Sequence, residues 1–308
     1  MGTEASGHSP VIGSADDPLP EALSLARGAA EAGLGLKLLG GLAVRVICPD
    51  FAPRLRAGQD MDFACTAKSR KEVAAYLERS GCQPDRRFNN LNGDRQMYFN
   101  APSGRPIDVM VDRLVMCHTL DFRPSFGNLP FTVDAIDVLL SKLQIVELNE
   151  KDVWDTFHLL SGVPVGGPGP AADSRAEQAA GGRHAARRGA PAGSGAAGGA
   201  PAGSALGGQD ARGERGERGA YLDTDRFAKL LGGDWGWWRT VTGNLAKLPS
   251  LATEKAHLLP REAPYEPLAQ ARHLHEVAES APKGAKWKMR ARMGDRVRWY
   301  ELPEEVDH

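Results

Sequence analysis

The stretch from residue 162 to residue 220 constrains this chain more than any other. It consists of Gly, Ala, Pro, Ser and Arg with almost no large apolar side chain. Such a composition cannot bury enough surface to offset the conformational entropy lost on folding. A structureless connection of this length also far exceeds the usual loop of about 4–6 residues. The sequence therefore predicts a disordered insertion at 162–220, and the core must be built from what lies on either side. Residues 1–20, rich in Gly, Ser, Asp and Pro, read as a disordered leader. Roughly 230 of the 308 residues remain, enough for one α/β domain with helical additions or for two small domains. The expected division is an α/β domain over 21–161 and a helical region over 221–308.

Charge excludes some partners. The chain carries 38 basic and 39 acidic residues, so no global field draws it to nucleic acid or to a membrane. Any such binding must come from a local patch. No apolar run is long enough to span a bilayer, and the start lacks the regions of a signal peptide. Cys48, Cys65, Cys82 and Cys117 form no CxxC pair and no zinc spacing. They read as reduced, mostly buried cysteines, and the expected location is cytoplasmic.

Within 21–161 the pattern alternates between helix and strand. Residues 21–33 read as a helix closed by Gly33, Leu34–Leu39 as a short strand, and Leu42–Cys48 as a helix stopped by Pro49. Met61–Thr66 is a strand, Ser69 caps a helix, and 85–95 is a polar loop. Gln96–Phe99 and Arg105–Val111 read as strands joined across Pro102-Ser103-Gly104, with Ile107, Val109 and Val111 on one face. Two helices follow over 131–161. Beyond the insertion, helices are expected from Asp223 or Thr224, over Asp234–Leu248 and over about 265–280. Strict alternation from Lys286 to Trp299 predicts a terminal β-hairpin with Trp287, Met289 and Ala291 on the core side. Lys286, Lys288, Arg290, Arg292, Arg296 and Arg298 would then form one basic face, either a solvated strand face balanced by Glu301, Glu304 and Glu305 or a grip for an RNA or DNA backbone. The fold class is thus α/β (α+β), a small mixed sheet with helices packed on it.

The chemistry concentrates in 36–62. Gly40 and Gly41 end an apolar run and, lacking Cβ atoms, admit a phosphate close to the backbone N–H groups. Asp60 and Asp62 stand at i and i+2, on one face if the segment is a strand, and carboxylates suit a hard cation. Asp108 lies in an apolar strand, where an unpaired carboxylate is costly. A phosphate cradle beside metal ligands is the minimum equipment for moving a nucleotidyl group. In a helix, Lys142 flanks an apolar stripe and Asp152 stands three residues after Asn149, a capping position.

The order Gly40-Gly41, Arg56-x-x-x-Asp60-x-Asp62, Asp108, Lys142 and Lys151-Asp152 resembles the nucleotidyltransferase superfamily of DNA polymerase β, and within it the AbiEii-type enzymes of abortive-infection and toxin–antitoxin systems. The resemblance covers about residues 34–160. It implies that Gly40, Gly41, Arg56, Lys142 and Asp152 serve the nucleoside triphosphate. It implies that Asp60, Asp62 and Asp108 hold two Mg²⁺ ions and that Asp108 aids deprotonation of an acceptor hydroxyl. The acceptor it allows is RNA, protein or a small molecule, and a cognate antitoxin is an implied partner. The chain departs from the family pattern at Ala57-Gly58-Gln59 and at Glu147–Glu150, where a small hydroxyl residue and an arginine are usual.

Overall fold

In a computed structural model the described residues are 17–55, 58–124, 126–167 and 219–302. The leader up to residue 16, most of the insertion (168–218), Arg56 and the last six residues lie outside them. The sheet forms where β-branched and aromatic residues alternate with polar ones. Its strands are β1 (Leu36–Leu38), β2 (Met61–Cys65), β3 (Gln83–Pro84), β4 (Gln96–Asn100) and β5 (Pro106–Val111). They lie in the order β1-β2-β5-β4-β3. The β2–β5 pair is parallel, and the other pairs are antiparallel. In β5, Ile107, Val109 and Val111 are buried, whereas Asp108 and Met110 are only half-buried. The period of two expected from the sequence is therefore kept.

Helices cover the sheet where apolar residues recur at helical spacing. They are α1 (Leu19–Glu31), α2 (Gly40–Ile47), α3 (Arg70–Arg79), α4 (Arg86–Asn92), α5 (Ala135–Leu143) and α6 (Glu150–Gly162). Asn149 caps α6, its side chain accepting the Asp152 N–H at 3.0 Å. The polar stretch at 85–95 is not all loop: Asp85 caps α4 by accepting the Phe88 N–H at 2.8 Å. Short strands β6 (Arg113–Val115) and β7 (Thr119–Asp121) make a side hairpin.

The segments flanking the insertion join one compact unit. Strand β8 (Val165–Gly166) pairs in parallel with β9 (Leu222–Asp223). Helices α7 (Thr224–Gly233), α8 (Trp235–Glu254), α9 (Pro267–Ser280) and α10 (Ala285–Met293) follow. Asn244 of α8 donates to the Leu143 and Ile145 carbonyls at 2.9 and 2.7 Å, satisfying the end of α5. Gln270 of α9 does the same for the Leu160 and Val163 carbonyls.

The terminal hairpin expected over 286–298 is a helix instead. Residues Ala285–Met293 form α10, and Gly294, at φ 55° and ψ -145°, closes it with a backbone that glycine adopts freely and side-chain-bearing residues do not. Lys, Met, Arg and Ala are strong helix formers, and their alternation is compatible with either period over so short a stretch. Packing decides the matter: Trp287 donates to the Leu231 carbonyl at 3.0 Å and lies edge-on to Trp238. The single basic face therefore does not exist, because a helix turns Lys288 and Arg292 away from Lys286 and Arg290. Among the described residues no helix is long and apolar enough to cross a membrane.

Candidate active site

Backbone register sets the site. Asp62 of β2 and Asp108 of β5 are direct partners in the parallel pair, so their side chains share one face of the sheet. Asp60 precedes β2, whose first residue is Met61, so strand alternation does not fix its direction. It remains within electrostatic reach of both Asp62 and Tyr98. Among the described residues, no group of three or more His, Cys, Asp or Glu is arranged to hold a metal ion. The arrangement is a pair of carboxylates with a third nearby.

Helix α2 begins beside this pair. The Leu39 N–H donates to the Asp62 carbonyl at 2.9 Å, tying the strand to the helix start. Gly40 is buried with φ +65°, and a Cβ placed there would fall 2.4 Å from Oδ2 of Asp62. A Cβ on Gly41 would meet Asp155 and Gln59 at 3.7 and 3.8 Å. The first N–H groups of α2, and the positive end of its dipole, thus open beside a carboxylate.

Electrostatics at Asp62 are unfavourable for the ionised form. Burial raises its carboxyl above the ordinary range; the Lys142 ammonium pulls it down, and Asp108 pushes it up again. Gln96 steadies Asp108, donating to Oδ1 at 2.6 Å. Tyr98 is the cross-strand partner of Asp108; burial first, then Asp108 and Asp60, push its phenol up, so it stays protonated.

Lys142 is buried, with Nζ 2.7 Å from Oδ2 of Asp155 and 3.7 Å from Oδ1 of Asp152. Desolvation opposes its charge, but Asp155, Asp152 and Asp62 outweigh that and keep it protonated. Lys142 and Asp152 therefore meet in an ion-pair network beneath the glycines. The residue joining them, Asp155, was not predicted, although its place on α6 one turn after Lys151 was a usable signal. Gln96 and Tyr98, also unpredicted, are visible only once β4 is paired with β5. The cysteines are free and buried. Burial pushes Cys48 and Cys65 to about 12 and Cys82 to about 11, so none of these three is a thiolate nucleophile near neutral pH.

No family model matches this chain, and no curated protein matches it. One solved structure it is similar to is the crystal structure of ANT(2")-Ia in complex with adenylyl-2"-tobramycin. The two are 13% identical over 41% of this chain and 74% of that chain, with a TM-score of 0.29. A likeness that loose carries no argument about this chain.

Proposed function

We propose that the chain is a metal-dependent nucleotidyltransferase. It would transfer a nucleoside monophosphate from a triphosphate to an acceptor hydroxyl on RNA, protein or a small molecule, in the manner of the cytoplasmic AbiEii-type enzymes and with an antitoxin as its partner. The observation that carries this reading is the register pairing of Asp62 with Asp108, directly beside the Cβ-free start of α2.

The donor set fits Mg²⁺. That ion is usually held by one or two carboxylates together with substrate phosphates, keeping several waters. Two paired carboxylates suffice, so this ion needs no three-carboxylate cage. Asp62 and Asp108 would hold the metal, with Asp60 close by. When bound, Mg²⁺ supplies charge stabilisation to the attacking and leaving oxygens. Gly40 and Gly41 would present N–H groups to the triphosphate, with the helix dipole favouring its charge. Asp108, held by Gln96, would take the acceptor's proton. Lys142 acts from behind, drawing the Asp62 carboxyl down against the effect of its burial while paired with Asp155.

The test is the melting temperature of the purified chain with each nucleoside triphosphate, with and without Mg²⁺. A rise that needs both is expected by mass action, and it should vanish in Asp62→Asn and in Asp108→Asn. No rise with any nucleotide, or a rise that survives Asp62→Asn, would overturn the reading.

A further inference from the structure

A cavity of about 630 Å³ opens between the β6–β7 turn, the start of α8, helix α10 and the segment after it. It shares no lining residue with the Asp62–Asp108 site. Its volume lies in the range of about 300–1,000 Å³ that holds small organic ligands.

The walls are aromatic and fixed. Trp235 is buried and meets Trp299 edge-on at 5.8 Å. Trp299 donates from Nε1 to Oγ1 of Thr240 at 3.0 Å, and Oγ1 also meets Nε2 of His118 at 2.9 Å. Trp287 is held by the Leu231 carbonyl. The rings are thus oriented before any ligand arrives, which lowers the entropic cost of binding. Two flexible thioethers complete the apolar lining: Met289 is 64% exposed and Met293 43%.

The charges decide the ligand's sign. Each of four rings already carries a resident cation. Arg290 lies 4.5 Å from the Trp235 centroid, Arg298 4.8 Å from Tyr300, Arg239 5.4 Å from Trp299, and Lys283 5.5 Å from Trp287. A cationic ligand entering among these rings would meet the cations already resident on them and be repelled. Arg239 is neutralised by Asp295 at 2.9 Å. Lys286 and Arg298, both exposed, line the cavity and enter no ion pair among the described residues. Of the two carboxylates lining it, Asp234 caps α8, accepting from the Gly236 and Trp237 N–H groups, and Glu301 is exposed; Lys286, Arg290 and Arg298 stand against them.

We propose that this cavity is a nucleotide-binding site separate from the Asp62–Asp108 pair, with the base against the Trp and Met walls and the phosphate at Lys286 and Arg298. A flat aromatic body and an anionic group on one molecule are what these walls select. The nucleotide comes either free or as a unit of a single RNA strand, since stacking on aromatic rings is tolerant of base identity.

The experiment is calorimetric titration of the full chain in EDTA, which removes any metal-dependent binding at the other site. The probes are AMP, adenosine, ribose 5-phosphate and an octameric single-stranded RNA. AMP should bind about tenfold or more tightly than adenosine or ribose 5-phosphate, since each lacks one half of the recognition. An octamer much tighter than AMP identifies the strand as the source; equal affinity identifies the free nucleotide. Lys286→Ala with Arg298→Ala should weaken AMP about tenfold and lower the salt slope of octamer binding by about 1.4, roughly 0.7 per phosphate-contacting cation on a single strand. Lys288→Ala with Arg292→Ala, which do not line the cavity, should change AMP binding little. These four side chains are exposed, and circular dichroism checks that the variants fold. The proposal fails if neither AMP nor the octamer binds at millimolar concentration, if adenosine binds as well as AMP, or if the two double variants lose affinity equally.

Discussion

A methyl group on Gly40 would lie 2.4 Å from Oδ2 of Asp62, and Gly40 itself sits at φ +65°. Two costs therefore fall on any side chain here: left-handed backbone strain of about 1–2 kcal/mol and a collision with the carboxylate. Gly40→Ala should lower unfolding stability by at least about 1 kcal/mol in urea titrations. It should also remove the nucleotide-dependent rise in melting temperature. A variant of wild-type stability that still responds to nucleotide and Mg²⁺ would show that the close approach is incidental.

Lys142 is the buried cation between Asp152 and Asp155. Lys142→Met leaves two carboxylates buried without it, and breaking a buried pair costs about 3–5 kcal/mol. Chemical denaturation should show a loss of that order. Lys142→Met with Asp155→Leu should recover part of it, because the second change removes the charge that the first one strands. Strict additivity of the two losses would argue against their coupling.

Arg226 couples the two sides of the insertion. Its guanidinium lies 2.9 Å from Oδ1 of Asp137, itself fully buried, and donates to the Asp121 carbonyl at 2.5 Å. Arg226→Ala should cost up to about 3–5 kcal/mol by removing the guanidinium that pairs with the buried Asp137. Arg226→Lys should restore little, since an ammonium cannot span a carboxylate and a carbonyl as a planar fork does. Equal stability of the Lys variant and wild type would mean that charge alone matters.

Acid sensitivity should arise at His118. Burial holds its imidazole down to about 4, with Asp234 pulling weakly the other way. A depressed histidine binds its proton more readily in the unfolded chain, so stability rises with pH across this window. Stability should be complete above the ordinary imidazole value of 6.5 and fall as the pH drops toward about 4. Urea midpoints measured across that range should slope downward toward acid in the wild type. They should run flatter in His118→Asn; identical slopes would exclude His118 as the source.

Much of the fold was legible in the sequence. The apolar alternation of Ile107, Val109 and Val111 and the turn at Pro102-Ser103-Gly104 fixed β4 and β5, because side-chain direction in a strand has a period of two. Asn149 and Asp223 marked helix starts, since a side chain that competes with the backbone belongs at a cap; Ser69 also precedes a helix, but its hydroxyl bonds back to Thr66 and caps nothing. The run from Lys286 to Trp299 misled because the alternating Lys, Trp, Met and Arg at its start satisfy either period over so short a stretch. The contacts of Trp287 with α7 and α8 selected the helix.

The sequence by itself determined which segments can order, which faces they bury, and that glycines and carboxylates cluster early in the chain. These are local properties, written in spacing and composition. Only the tertiary structure decided that Asp62 stands opposite Asp108, that Asp155 joins Lys142, and that tryptophans from α8, α10 and the last segment surround one cavity. Such meetings depend on strand register and helix packing between residues far apart in the chain. No local periodicity encodes them, because they follow from the burial of every apolar face at once.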